Sequence, residues 1–182
     1  MKIAFVLPGF TLQPLGGYRT VYELANRLAA QQLQVSIYFV YGYSKHDNFS
    51  RRLRHYIDFL KGFAKFMISN NKISWFVFTS LVQLKIQRKL QVEDSKHTVV
   101  VATAWETLEY IEYSYQTFKQ KIYYIQHDES IFRSADKDRV INTWQQSNYT
   151  KIVTSKWLQN RLNELGIHTT LIPVGINTNQ YR

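Results

Sequence analysis

Short runs rich in Val, Ile, Tyr and Phe recur along this chain, and helical patterns separate most of them. They fall at residues 2–7, 34–41, 98–103, 121–126, 151–154 and 169–172. Near-continuous β-branched and aromatic runs suit strands buried on both faces, the setting of a parallel sheet. Parallel neighbours need a crossover, and the helical segments between the runs supply it. The expectation is an α/β domain: a parallel sheet with helices on both faces. A chain of 182 residues can bury a core of this kind. A hydrophobic content of 45%, with 15% aromatic, excludes a disordered tail.

The first helix is legible over residues 17–31, where Val21, Leu24, Ala25, Leu28 and Ala29 recur at helical spacing. Thr103-Ala104-Trp105-Glu106 reads as a capping box. The Thr hydroxyl would cap a backbone N–H while Glu106 reaches back. Ser155 is expected to cap a helix over 156–165 that Gly166 ends.

Residues 49–91 interrupt the rhythm. They read as a basic helical insertion of two helices, broken near Asn70-Asn71. In the first, Leu53, Tyr56, Ile57, Leu60, Phe63, Ala64 and Met67 form an apolar stripe, with Arg54, Asp58, Lys61 and Lys65 on the other side. The second would be apolar on more than one face. The net charge is +10, and this segment carries +8 of it. Arg51, Arg52, Arg54, Lys61, Lys65, Lys72, Lys85, Arg88 and Lys89 face only Asp58 as an acid. A cationic amphipathic surface of this kind, with Trp75 among its aromatics, suits anionic lipid headgroups. It is equally the composition of a solvated face on a core helix. No nucleic-acid motif accompanies the bases.

Other classes are excluded or disfavoured. No cysteine is present, so there is no disulfide framework and no thiolate metal site, which fits a reducing cytoplasm. The opening apolar run breaks at Pro8-Gly9 and lacks the pattern of a signal peptide. The longest apolar stretch holds 12 residues, short of the roughly 20 that cross a bilayer. His46, His55, His97, His127 and His168 show no metal spacing. Neither G-x-x-x-x-G-K-[ST] nor G-x-G-x-x-G occurs, which disfavours an NTPase or a nicotinamide enzyme.

In an open α/β sheet, ligands sit beyond the carboxyl ends of the strands. That rule selects the loop 8–18 and the turns after residues 103, 126 and 154. Gly16-Gly17 lets backbone approach a phosphate closely, with helix N–H groups facing the anion. Arg19 in the first turn opposes the helix dipole, and a bound anion would offset that. The same residues would also serve as an ordinary glycine-rich connection. His127, ahead of Asp128-Glu129, could bind a sugar hydroxyl or move a proton, or be a polar loop residue. Trp105 could stack on a sugar or cover a helix start.

The order and spacing of these segments resemble the N-terminal half of a glycosyltransferase of family 4, with the GT-B architecture. The resembling stretches are Ile3-Ala4-Phe5-Val6 through Gly16-Gly17-Tyr18-Arg19, and Glu23-Leu24-Ala25-Asn26-Arg27-Leu28. They continue with Val101-Ala102-Thr103-Ala104-Trp105-Glu106-Thr107 and Tyr124-Ile125-Gln126-His127-Asp128-Glu129. Ile152-Val153-Thr154-Ser155-Lys156-Trp157-Leu158 and Ile172-Pro173-Val174-Gly175-Ile176-Asn177 complete the series. The likeness is nearest to bacterial enzymes that build surface polysaccharides, including rhamnose-containing ones.

The resemblance implies a Rossmann-like lobe over 1–172 that holds the acceptor, a glycan or a lipid-linked sugar. It implies an interdomain linker beginning at 173–182, and a donor-binding lobe supplied in cis or by a partner chain. The reaction it implies is transfer from a nucleotide-sugar donor with retained anomeric configuration, at the cytoplasmic face of the cell membrane, without cofactor or metal. By position, Gly16 and Gly17 would meet the donor diphosphate and His127 would stand at the reacting sugar. Tyr18, Arg19, Trp105 and Asp128 would line the acceptor side. This chain alone is expected not to transfer sugar. The competing expectation is a non-catalytic Rossmann-like module that docks on an anionic membrane or polymer.

Overall fold

A computed structural model describes residues 1–44, 47–132 and 136–175. The strands are β1 (Lys2–Pro8), β2 (Gln34–Val40), β3 (Val82–Gln87), β4 (Thr98–Ala102), β5 (Gln120–Ile125), β6 (Thr150–Val153) and β7 (Thr170–Leu171). All pair in parallel, in the order β3-β2-β1-β4-β5-β6-β7. The helices are α1 (Gly16–Ala30), α2 (Phe49–Ile68), α3 (Trp105–Tyr113), α4 (Glu129–Phe132), α5 (Lys137–Trp144) and α6 (Lys156–Asn163). The architecture is α/β and consistent with a Rossmann-like fold.

Two apolar layers hold the sheet. β1 shows why its residues are apolar throughout: Ile3, Phe5 and Leu7 enter one layer, Ala4 and Val6 the other. The first layer packs Val21, Tyr22, Ala25 and Ala29 of α1 and Phe66 of α2 on the sheet. The second packs Leu108 and Ile111 of α3, Val140 and Trp144 of α5, and Leu158 and Leu162 of α6. The helices α1, α3, α5 and α6 therefore spend their apolar stripes on one sheet face or the other, the main source of helical stability in a domain.

The local signals at α6 hold. Ser155 Oγ accepts from Leu158 N at 3.2 Å, and Gly166 follows with φ of +71°. The capping box before α3 is built differently from the sequence expectation. Ala104 is the N-cap, and Thr107 Oγ1 accepts from the N–H groups of Thr103 and Ala104 at 3.0 and 3.1 Å. The Thr103 hydroxyl instead donates to the Val6 carbonyl at 2.7 Å, tying β4 to β1. Glu129 takes the Trp105 N–H at 2.9 Å.

The segment 49–91 departs most from expectation. α2 ends where Asn70 and Asn71 adopt φ of 51° and 59°, but no second helix follows among the described residues. Trp75, Phe76 and Phe78 instead wrap Tyr22 of α1, with ring centroids 5.5, 5.2 and 4.8 Å away. The Asn26 side chain holds this loop through Val77 O at 2.9 Å and Thr79 N at 3.1 Å. The chain then forms β3, an edge strand whose Leu84 and Ile86 pack on the α1 layer. A dense apolar run has no period that separates helix from strand, and aromatic partners on α1 decide the outcome. Of the expected linker, residues 176–182 lie outside the described residues.

Candidate functional site

The chain's topology reverses between β1 and β4. The loop after β1 leads to α1 on one face, and the turn after β4 leads to α3 on the other. A crevice opens at such a reversal, beyond the carboxyl ends of the strands. Gly9, with φ of +85°, turns the chain out of β1. The Tyr41 hydroxyl then clamps the loop, accepting from Phe10 N at 2.8 Å and approaching Phe10 O at 3.2 Å.

α1 begins at this edge. Its N-cap, Leu15, offers no side-chain acceptor, and the first turn contains no acid. The leading N–H groups of the helix therefore lack side-chain caps, the condition that suits an anion. Gly16 and Gly17 are exposed there. A methyl added to Gly16 would meet nothing within 4 Å, whereas one on Gly17 would lie 3.4 Å from Gln126 Oε1. Gln126 follows β5, so the helix start and the end of β5 adjoin.

His127 is exposed beside that contact. Desolvation holds its imidazole below the usual histidine pKa, with the charge of Asp128 opposing. The ring is therefore neutral near pH 7, with one nitrogen able to donate and the other to accept. The residues around it are engaged. Thr154 Oγ1 donates to Gln126 O at 3.1 Å, and Glu129 Oε2 accepts from Tyr123 OH at 3.3 Å.

Gly16, Gly17 and His127 thus share one edge, but the expected acceptor-side residues do not join them. Asp128 is buried. Its carboxylate accepts from Ser130 N at 3.0 Å and meets Arg161 Nε at 3.4 Å, an internal brace between α4 and α6. Trp105 is buried in the α3 layer, and the Arg139 guanidinium lies 4.8 Å from its ring centroid. Tyr18 turns inward, its hydroxyl shared between the carbonyls of Pro8 and Gly9 at 3.0 and 2.9 Å. Burial keeps that phenol protonated, far above the ordinary tyrosine range. Arg19 remains exposed, but it lines a different concavity and stands 4.0 Å from Glu23.

That concavity is a groove of about 890 Å³ on the α1 side of the sheet. It runs over Ile3, Phe5, Val101, Ile122, Tyr124 and Ile152, in the layer whose helical residues, among the described ones, come from α1 and α2. This groove lies over a sheet face, with Gly16 and Arg19 among its lining residues.

Sequence reasoning missed an ion network at the carboxyl edge. Arg139 forks onto Glu109 at 2.6 and 3.3 Å and reaches Asp47 at 3.3 Å and Asp136 at 3.5 Å. Arg51 joins through Asp136 at 3.0 Å and Asp47 at 3.7 Å. His55 lies 3.9 Å from Asp47. Partners separated by 30, 85 and 92 positions leave no local pattern to read.

The basic segment is divided in three dimensions. Arg51 belongs to the ion network while its side chain stays partly exposed, and Trp75 is half-buried against Tyr22. Lys85 and Lys89 lie toward the opposite sheet layer, 5.5 Å from the rings of Tyr38 and Tyr113 respectively. Arg52, Arg54, Lys61 and Lys65 are exposed on α2, and Arg88 joins them over the Tyr56 ring at 5.4 Å. Among the described residues, no group of three or more side chains could hold a metal ion.

Comparison with known proteins yields no relative: no family model, curated protein or solved structure matches the chain.

Proposed function

We propose that this chain is the acceptor-side lobe of a retaining nucleotide-sugar glycosyltransferase of GT-B type. The observation that carries the reading is the meeting of the uncapped, glycine-led start of α1 with the end of β5, where His127 stands. The leaving group of such a transfer is a nucleoside diphosphate, which gains negative charge as the sugar departs. Helix N–H groups already aimed at that position stabilise the developing charge without reorganising. Glycine at both leading positions lets the phosphate approach the backbone. A neutral His127 can exchange hydrogen bonds with a hydroxyl of the reacting sugar. Trp105 and Asp128 are buried and the Tyr18 hydroxyl is spent on the Pro8 and Gly9 carbonyls, which on this reading leaves the acceptor to the crevice between the α1 and α3 starts. The donor base and ribose belong, on this reading, to a second lobe in cis or on a partner chain.

Amide and imidazole chemical shifts of the isotope-labelled chain test this during titration with UDP-glucose, UDP and pyrophosphate. The expected result is a shared, saturable shift of the Gly16 and Gly17 amides and the His127 ring, lost in Gly17→Val. Shifts confined to other surfaces, or none at saturating probe, would overturn it.

A further inference from the structure

The geometry points to α2 as an interfacial helix that seats this chain on an anionic lipid bilayer. Its basis is the way the helix is mounted. α2 docks through Gly62 and Phe66, which are buried, and through His55 and Phe59, which are half-buried. Gly62 rests against Tyr41, and Arg51 ties the first turn to Asp136. At 100° per residue those positions form one face, and the apolar stripe lies nearly opposite.

Leu53, Tyr56, Ile57, Leu60, Phe63 and Met67 therefore point outward, with Phe49 and Ile68 at the two ends. Their exposures run from 43% to 83%. The stripe extends along a helix of 20 residues, about 30 Å. Single exposed apolar residues are ordinary, but a continuous stripe marks a contact surface. A different helix face would normally dock: the apolar one. Here the rigid mount holds that face away from the core.

Charge identifies the partner. Arg54, Lys61 and Lys65 flank one side of the stripe, and Arg52 the other. Among the described residues no carboxylate pairs with Arg54, Lys61 or Lys65. Two copies joined stripe to stripe would bring their basic flanks together, which disfavours a symmetric dimer. An anionic headgroup layer satisfies both features at once. The stripe enters the acyl boundary, while the long basic side chains reach back to the phosphates. α2 follows the carboxyl end of β2, so its exposed Phe49 lies on the same edge of the sheet as the candidate site.

This inference stands on the α2 surface and is independent of the transferase reading, so either can fail alone. Co-sedimentation of the whole chain tests it, with vesicles of phosphatidylcholine alone or containing a minority of phosphatidylglycerol. Binding is expected only to the anionic vesicles and should weaken as salt rises. Lys61→Gln with Lys65→Gln should reduce partitioning about tenfold. Leu60→Ser with Phe63→Ser should reduce it about a hundredfold. These side chains are exposed, and circular dichroism would verify that each variant folds. Failure to sediment with anionic vesicles would overturn the inference, as would sedimentation that the stripe variant leaves unchanged. A dimer seen by light scattering and abolished by that variant would reassign the stripe to a second copy.

Discussion

Gly62 has no room for a methyl group, because its Cβ would overlap the Tyr41 hydroxyl and ring. That ring also clamps the loop after β1, so helix docking and loop shape depend on one side chain. Overpacking of this kind typically costs about 1–3 kcal/mol. Gly62→Ala should lose that much in urea denaturation, and its vesicle binding should change because α2 is displaced. Gly16→Ala is the contrasting case, with nothing near its added carbon. Its stability should stay within about 0.5 kcal/mol of the parent. Any loss of diphosphate-induced shifts in Gly16→Ala would then report the ligand and not the fold. The two glycines look alike in sequence, and only their surroundings distinguish them.

At the scale of elements, the start of α2 is coupled to α3 and α5 by ions. Arg139 is mostly buried and serves Glu109, Asp47 and Asp136 together. Removing one member of a buried network leaves its partners unpaired, at about 3–5 kcal/mol. Arg139→Gln should therefore approach about 3 kcal/mol of destabilisation, measured by urea denaturation. Arg51 shares Asp47 and Asp136 with it, so Arg51→Gln and Arg139→Gln should not be additive. A double-mutant cycle should show coupling above about 0.5 kcal/mol. Additive effects would mean that the two guanidinium groups act separately. The same network explains why Trp105 is unavailable to a sugar: its ring lies beneath Arg139. The strand β3 makes a related point, since its hydrophobic run became an edge strand once the preceding loop had wrapped Tyr22.

For the whole molecule, pH dependence follows from two histidines. Desolvation holds both His55 and His127 below the ordinary value of 6.5, against the nearby charges of Asp47 and Asp128 respectively. The unfolded chain then binds more protons than the folded one, so stability rises with pH across this window. The contribution is present above pH 6.5 and is lost as pH falls toward the folded values. The thermal midpoint should drop on acidification below that point, and His55→Gln should flatten the dependence more than His127→Gln. His55 is half-buried, whereas His127 is exposed. A midpoint that rose on mild acidification would contradict the assigned direction. The sequence by itself determined the α/β class, six of the seven strands, α1, and the glycine-led loop, because β-branched runs, helical spacing and caps are local signals. Tertiary structure decided the rest. It turned an apolar run into β3, moved Trp105, Asp128 and Trp75 inward, and split the bases between two faces. It also turned the α2 stripe outward. Those outcomes depend on which surfaces meet across 30 to 90 residues, and no local pattern encodes such pairings.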